Sequence, residues 1–294
     1  MNNSSTLGAR LFVALQYLLP QLLLSRLVGG IARARGAWIR KPLIRAFVRA
    51  YRPELSDAAQ PDPSGYESFN AFFTRALRAG ARPVSSAPAA IVSPVDGRIS
   101  ALGTTERGRI IQAKGRDYSL QALLAGNTDL ATRLMDGLFM TVYLAPYNYH
   151  RIHMALPGTL VGAWYVPGRL FSVNDTSAAL VPNLFARNER VILEFSGERG
   201  PHVLVMVGAL FVGSMATVWH GDIPRRRART PLALPLPGGA ASYLERGAEL
   251  GRFNMGSTVI VLLPQGSGAW DANLSAHTDL RVGQAVGTLS PATR

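Results

Sequence analysis

From Ile91 onward the apolar residues of this chain come in short runs, each cut off by glycine or proline. RGRIIQA, LFMTVYLAP, RVILEF, HVLVMVGALFVG, MATVW and STVIVLLP follow one another with few long helical patterns between them. Runs of that length, bounded by turn residues, read as strands at close intervals. Ahead of them the pattern is helical. Leu11, Leu15, Leu18 and Leu22 share one helical face, and Phe69, Phe72, Phe73 and Leu77 recur at helical spacing within 66–77. The expected class is α+β: a helical N-terminal part, residues 1–62, followed by a β-rich domain, residues 63–294. Gln60-Pro61-Asp62-Pro63-Ser64-Gly65 reads as the linker between them. There is no internal repeat.

Charge is placed as unevenly as hydrophobicity. The net charge is +13, and Met1 to Pro53 holds Arg10, Arg26, Arg33, Arg35, Arg40, Lys41, Arg45, Arg49 and Arg52 with no acid before Glu54. Residues 11–25 are interrupted by Gln16, Pro20 and Gln21, and a spanning helix needs about 20 apolar residues, so this run is too short to cross a bilayer comfortably. The stretch from Trp38 to Tyr51 mixes Ile39, Leu43, Ile44, Phe47 and Val48 with Arg40, Lys41, Arg45 and Arg49. Apolar plus basic, without acids, is the composition of a helix lying in a membrane interface. Core helices with solvated basic faces would leave the missing acids unexplained. A cleaved signal peptide is disfavoured by the weak basic start, by Pro20 and the glutamines, and by the basic stretch that follows. Nucleic acid is disfavoured because the arginines alternate with aliphatic side chains rather than exposed aromatics. A Pro/Arg/Gly-rich stretch, 222–240, reads as an exposed loop whose arginines either touch anionic lipid or are merely solvated.

The chain has no cysteine, which excludes disulfides and thiolate chemistry. Lys41 and Lys114 are its only lysines, so pyridoxal phosphate has very few places to attach. Two fragments, Pro94–Ile99 (PVDGRI) and Leu280–Leu289 (LRVGQAVGTL), resemble the glycine turns of biotinyl and lipoyl carrier barrels. That likeness implies barrel-sandwich character without biotin, since neither fragment contains lysine.

Three stretches hold residues able to do chemistry: Ser93-Pro-Val-Asp96-Gly97, Tyr149-His150-Arg151-Ile152-His153, and Asn254-Met255-Gly256-Ser257-Thr258. Together they supply an acid, a histidine and a serine, the parts of a nucleophile–base–orienter relay. Each has a plainer reading. Asp before Gly is a common turn pair. His150 and His153 would be neighbours on a helical turn, as half a metal site or as partly buried polar residues; His202, His220 and His277 show no ligand spacing that would complete a metal site. Gly-Ser occurs three times, so the dipeptide by itself identifies nothing.

The combination is more specific. FNMGSTVIVLLP is similar to the self-cleavage site of the phosphatidylserine decarboxylase family, with Met255 where that motif has leucine, a swap that keeps volume and polarity. YNYHRIHMALPG resembles the family's Tyr-His-Arg-Val/Ile-His segment and SPVDGRIS its Pro-x-Asp-Gly segment. Residues 170–191, 212–221 and LQYLLPQLLLSRLVG add to the likeness, in the family's order. The resemblance implies a proenzyme that cuts itself between Gly256 and Ser257, leaving a β chain of 1–256 and an α chain of 257–294 as a heterodimer. Ser257 becomes a pyruvoyl group, the electron sink that captures the substrate amine, with no metal and no pyridoxal phosphate. By the same resemblance His153 is the base for self-cleavage, Asp96 its stabilising carboxylate, and His150 a second candidate for a later proton transfer. The expected reaction is decarboxylation of phosphatidylserine to phosphatidylethanolamine, by an enzyme held peripherally on the anionic cytoplasmic face of the cell membrane; oligomerisation beyond the heterodimer is left open. Two other classes compete: a lipid-surface scaffold without chemistry, and an ordinary serine hydrolase, for which no G-x-S-x-G elbow is present.

Overall fold

The structure, a computed structural model, describes residues 6–113, 115–211, 214–225 and 230–291. Helices come first: α1 (Leu7–Leu18), α2 (Gln21–Arg33), α3 (Ala37–Tyr51) and the short α4 (Phe69–Phe73). Pro20 ends α1, because it cannot donate to the preceding turn, and α2 leaves at 88°. No single helix is long and apolar enough to cross a membrane.

α1 and α2 are inside out. Gln16, Gln21, Ser25, Gly29 and Ala32 face the protein, whereas Leu11, Leu15, Leu18 and Leu22, the stripe on one helical face, point outward, with Leu18 82% exposed. The reason is a set of backbone groups that only polar side chains can satisfy. Gln16 Oε1 accepts from Ser172 N at 2.7 Å, Gln21 Oε1 from Leu170 N at 2.9 Å, and Ser25 Oγ from Phe211 N at 3.2 Å. Unpaired, these buried N–H groups would each cost about 1–3 kcal/mol.

The helical spacing over 66–77 yields a helix only at Phe69–Phe73, started by Ser68 Oγ accepting from Ala71 N. The Gln60–Gly65 stretch is an ordered turn packed on α3: Asp62 caps it, and Arg40 donates to the carbonyls of Ser64 and Tyr66. Phe69, Phe72 and Phe73 form one apolar cluster with Ala32 of α2, Ile44 and Phe47 of α3, and Met255. The N-terminal helices therefore pack directly on the Met255-Gly256-Ser257 segment.

The remainder is β-rich. Six strands position the site: β1 (Gly97–Thr104), β2 (Leu138–Leu144), β3 (Arg151–His153), β4 (Gly200–Gly208), β5 (Glu249–Phe253) and β6 (Ser257–Leu263). In the largest sheet the order is Leu232–Ala233, Gly158–Val166, Arg190–Gly197, β4, β6, β2, β1, Asp279–Leu280. This order is open-ended, so the strands do not close into a ring as the carrier-barrel likeness suggested. The two glycine-rich fragments nevertheless meet: Leu280 pairs with Gly97 and Ala285 with Val92. β6 lies centrally, antiparallel to both β2 and β4. Val259, Val261 and Leu263 enter one core cluster, and Ile260 and Leu262 enter the other. Alternate side chains of a strand point to opposite faces, so a strand buried on both faces reads as the unbroken run VIVLL.

Of the 222–240 loop, residues 226–229, with three of its arginines, lie outside the described residues. Arg225 turns inward and pairs with buried Glu189 at 3.0 Å.

Candidate active site

Asp96 sits at the turn into β1, and Gly97 has to be glycine. A Cβ there would stand 2.5 Å from the carbonyl oxygen of Tyr143 on the neighbouring strand. The Asp96 carboxylate is buried and fully engaged. Arg82 grips both oxygens, Nε to Oδ1 at 2.9 Å and Nη2 to Oδ2 at 2.6 Å, and Val282 N donates to Oδ1 at 2.8 Å. Arg82 also reaches Asp57 at 2.7 Å. The spacing of motifs gave no sign of Arg82, whose role is set by side-chain geometry.

His153 ends β3, and its backbone N–H donates to Pro94 O at 2.8 Å, which ties it to the Asp96 turn. Its Nδ1 lies 2.8 Å from Gly247 O and its Nε2 3.1 Å from the Tyr149 hydroxyl. A carbonyl can only accept, so Nδ1 carries the proton and Nε2 is the lone-pair nitrogen, receiving the Tyr149 O–H. Burial lowers the His153 pKa, while the Gly247 hydrogen bond and the charges of Glu249 and Asp96 oppose the shift. The ring is thus neutral, with the lone pair of Nε2 on the Tyr149 hydroxyl. Neither His153 ring nitrogen bonds to the Asp96 carboxylate.

His150, fully buried, donates from Nδ1 to Asn148 O at 2.9 Å, and its Nε2 has no partner. Desolvation pushes its pKa down to about 3. Its carbonyl accepts from Phe253 N at the end of β5, and its ring lies 4.1 Å from that of Phe73. Three residues separate Phe253 from Ser257, so His150 is bonded to the segment that leads to the Gly-Ser bond.

Ser257 opens β6, opposite Leu144 and Gly208. Its Oγ is buried without a hydrogen-bond partner. The two residues before it both have positive φ: Gly256 at +28° and Met255 at +102°. For a side chain as large as methionine, such a conformation stores about 1–3 kcal/mol. The structure thus ties the His153 backbone to the Asp96 turn without a bond between the two side chains, and ties the His150 carbonyl to Phe253, ahead of Ser257. It does not place Ser257 Oγ in hydrogen-bond contact with either histidine.

Met255 and Gly256 also line an apolar cavity of about 610 Å³, walled by Ile31 of α2, Phe47 and Tyr51 of α3, and Phe73 of α4. Among the described residues no group of three or more His, Cys, Asp or Glu could hold a metal ion.

A family model described as phosphatidylserine decarboxylase matches residues 69–288, and a second, described as PSD, matches 11–52. The chain belongs to the phosphatidylserine decarboxylase family. Relatives carrying the name phosphatidylserine decarboxylase proenzyme agree along almost their full length. That of Ectopseudomonas mendocina is 50% identical over 95% of this chain and 98% of its own. That of Pseudomonas fluorescens is 50% identical over 95% and 97%, and that of Pseudomonas paraeruginosa 52% identical over 94% and 96%.

Proposed function

We infer that this chain is the proenzyme of a pyruvoyl-dependent phosphatidylserine decarboxylase that cleaves itself between Gly256 and Ser257. The observation that carries the reading is the Gly256-Ser257 bond itself. It joins a strained loop to a buried strand, with an unpartnered serine hydroxyl on one side and an apolar cavity on the other.

In the cleavage step Ser257 Oγ attacks the Gly256 carbonyl carbon, the C–N bond breaks, and an ester forms with a free Ser257 amine. Loss of the Ser257 α-proton then expels the Gly256 carboxylate by β-elimination, leaving dehydroalanine. Tautomerisation and addition of water release ammonia and leave a ketone at residue 257. The base for the first step is His153 Nε2, released by rotation of the Tyr149 hydroxyl, and Asp96 stabilises the imidazolium. The missing Oγ contact is no obstacle, because catalytic hydrogen bonds in an uncut or unliganded site commonly tighten only on the reaction path.

Ser257 is positioned to carry the pyruvoyl group: it leads the central strand, and the cavity beside Gly256 gives a lipid access to that end. The group supplies the electron sink for loss of carbon dioxide from an α-amino acid. His150, neutral and buried with a free Nε2, is placed to hold or deliver a proton at that end. Phe73, Phe47 and Ile31 hold acyl chain and exclude water.

The same reading puts the enzyme peripherally on the cytoplasmic face of the cell membrane. Outward leucines of α1 and α2, exposed Trp38, and cations without acids suit an anionic leaflet. The direct test is carbon dioxide release from serine-labelled phosphatidylserine. The wild-type protein should release it and run as two bands on a denaturing gel. Ser257→Ala should stay one band and release none; release by that variant would overturn the reading.

A further inference from the structure

On the other side of α4 lies a second cavity, of about 500 Å³, and it is lined by five arginines: Arg33, Arg35, Arg75, Arg151 and Arg252. Phe69 and Phe73 of α4 face the apolar cavity beside Gly256, while Ser68, Asn70 and Ala71 face this one. The helix is therefore a wall between two spaces. Three carboxylates answer the five guanidiniums. Arg33 pairs with Asp222 at 2.9 Å, Arg35 with Glu67 at 3.4 Å and Arg151 with Glu249 at 2.9 Å, and Arg252 shares Asp222 at 3.9 Å.

Arg75 is left over. It is 3% exposed, and among the described residues no carboxylate lies within ion-pair distance of it. Its Nη2 donates to Tyr147 O at 3.1 Å, but Nε and Nη1 are buried with no partner, and so is Arg252 Nε. A buried guanidinium with open N–H groups is unfavourable unless an anion completes it. The arginine fork matches phosphate oxygens in pairs. Arg33 ends α2 and Arg35 follows it, directly after exposed Leu27 and Ile31, so the arginine rim continues the outward apolar surface.

We propose that this cleft binds the phosphate of an anionic phospholipid in the membrane surface, a lipid other than the one in the cavity beside Gly256. The site rests on the membrane placement given above and is independent of the cleavage chemistry. It sets where α4, and with it the wall of the catalytic cavity, stands relative to the headgroup layer.

The test compares the Arg35→Gln/Arg252→Gln double variant with Arg107→Gln/Arg116→Gln, which removes the same charge from exposed positions of the β-rich part, outside the helices placed on the membrane. Cosedimentation is measured with phosphatidylcholine vesicles, with and without phosphatidylglycerol, at fixed ionic strength. The first double variant should lose on the order of tenfold of the affinity that phosphatidylglycerol adds, given several-fold per surface arginine. It should keep wild-type binding to neutral vesicles and wild-type self-cleavage, and the Arg107→Gln/Arg116→Gln control should lose clearly less. Equal losses in both, or none in either, overturn the site. Added inorganic phosphate separates the two sources of the anion. If it raises the melting temperature of wild type but not of the first variant, while phosphatidylglycerol changes nothing, the lipid assignment falls. Failure to bind any vesicle overturns the membrane placement and this site with it. Failure of the wild type to cleave itself strikes the proposed chemistry and leaves the vesicle result standing.

Discussion

Burial holds the His153 ring below its ordinary pKa, and the Gly247 hydrogen bond, Glu249 and Asp96 pull it part of the way back. A general base works only when neutral, so the sign of the pH dependence follows. Self-cleavage of refolded proenzyme should be flat from neutral pH upward and should fall on acidification through a value below 6.5. Asp96→Asn removes one of the two charges that raise the pKa, so the acid limb should move to still lower pH while the plateau rate drops by roughly 10²-fold or more. Uncut band against time, over a pH series, measures both. An acid limb left in place would show that the carboxylate does not act on this histidine. Arg82→Gln should prevent cleavage as well, by leaving Asp96 buried without its cation, a loss of about 3–5 kcal/mol that thermal melting would show. The serine, the two histidines and the aspartate stood out in the sequence only as residue types within three short stretches. Arg82 and Tyr149 did not, because what matters is where their side chains end: Arg82 between Asp57 and Asp96, the Tyr149 hydroxyl on His153 Nε2.

At the scale of elements, α1 and α2 reverse the usual rule for an amphipathic helix, and this leads to a prediction against intuition. Gln16→Leu adds apolar surface at a buried position, yet it should destabilise the protein by about 1–3 kcal/mol, since the Ser172 N–H loses its acceptor. Leu18→Gln, on the outward face, should leave the melting temperature within about 1–2 °C, as surface changes usually do, but weaken vesicle binding. Denaturant unfolding and cosedimentation read the two effects separately; if Gln16→Leu were stabilising, the inside-out packing would be wrong. The strands were legible because a run such as VIVLL between glycine and proline suits a strand buried on both faces. The orientation of the leucine stripe was legible only through the missing acids. A 3.6-residue apolar period marks a face that avoids water, and the same period serves for a core or a lipid surface. The unclosed sheet was hidden for a related reason: glycine turns fix local geometry, whereas closure depends on how far apart the edge strands end.

Across the whole molecule, two buried histidines link stability to pH. His150 falls to about 3 and His202 to about 4, both by desolvation. Each is neutral when folded and protonates in the unfolded chain near 6.5, so their contribution is complete above that value and is lost as pH falls toward the folded values. Urea midpoints should therefore hold steady above neutrality and decline below about pH 6.5, and a flat profile down to pH 4 would refute the buried, neutral state of these rings. Cleavage would leave residues 257–294 supplying β6, the strand between β2 and β4. A segment so short has no core of its own, so the two chains should separate only in denaturant. The account as a whole turns on the fate of Ser257, and intact mass of the purified, active protein tests it most directly. The expected result is two species: residues 1–256 unmodified, and residues 257–294 lighter than their sequence by about one ammonia with no free N-terminal amine. A single unmodified 294-residue species from protein that releases carbon dioxide would contradict it.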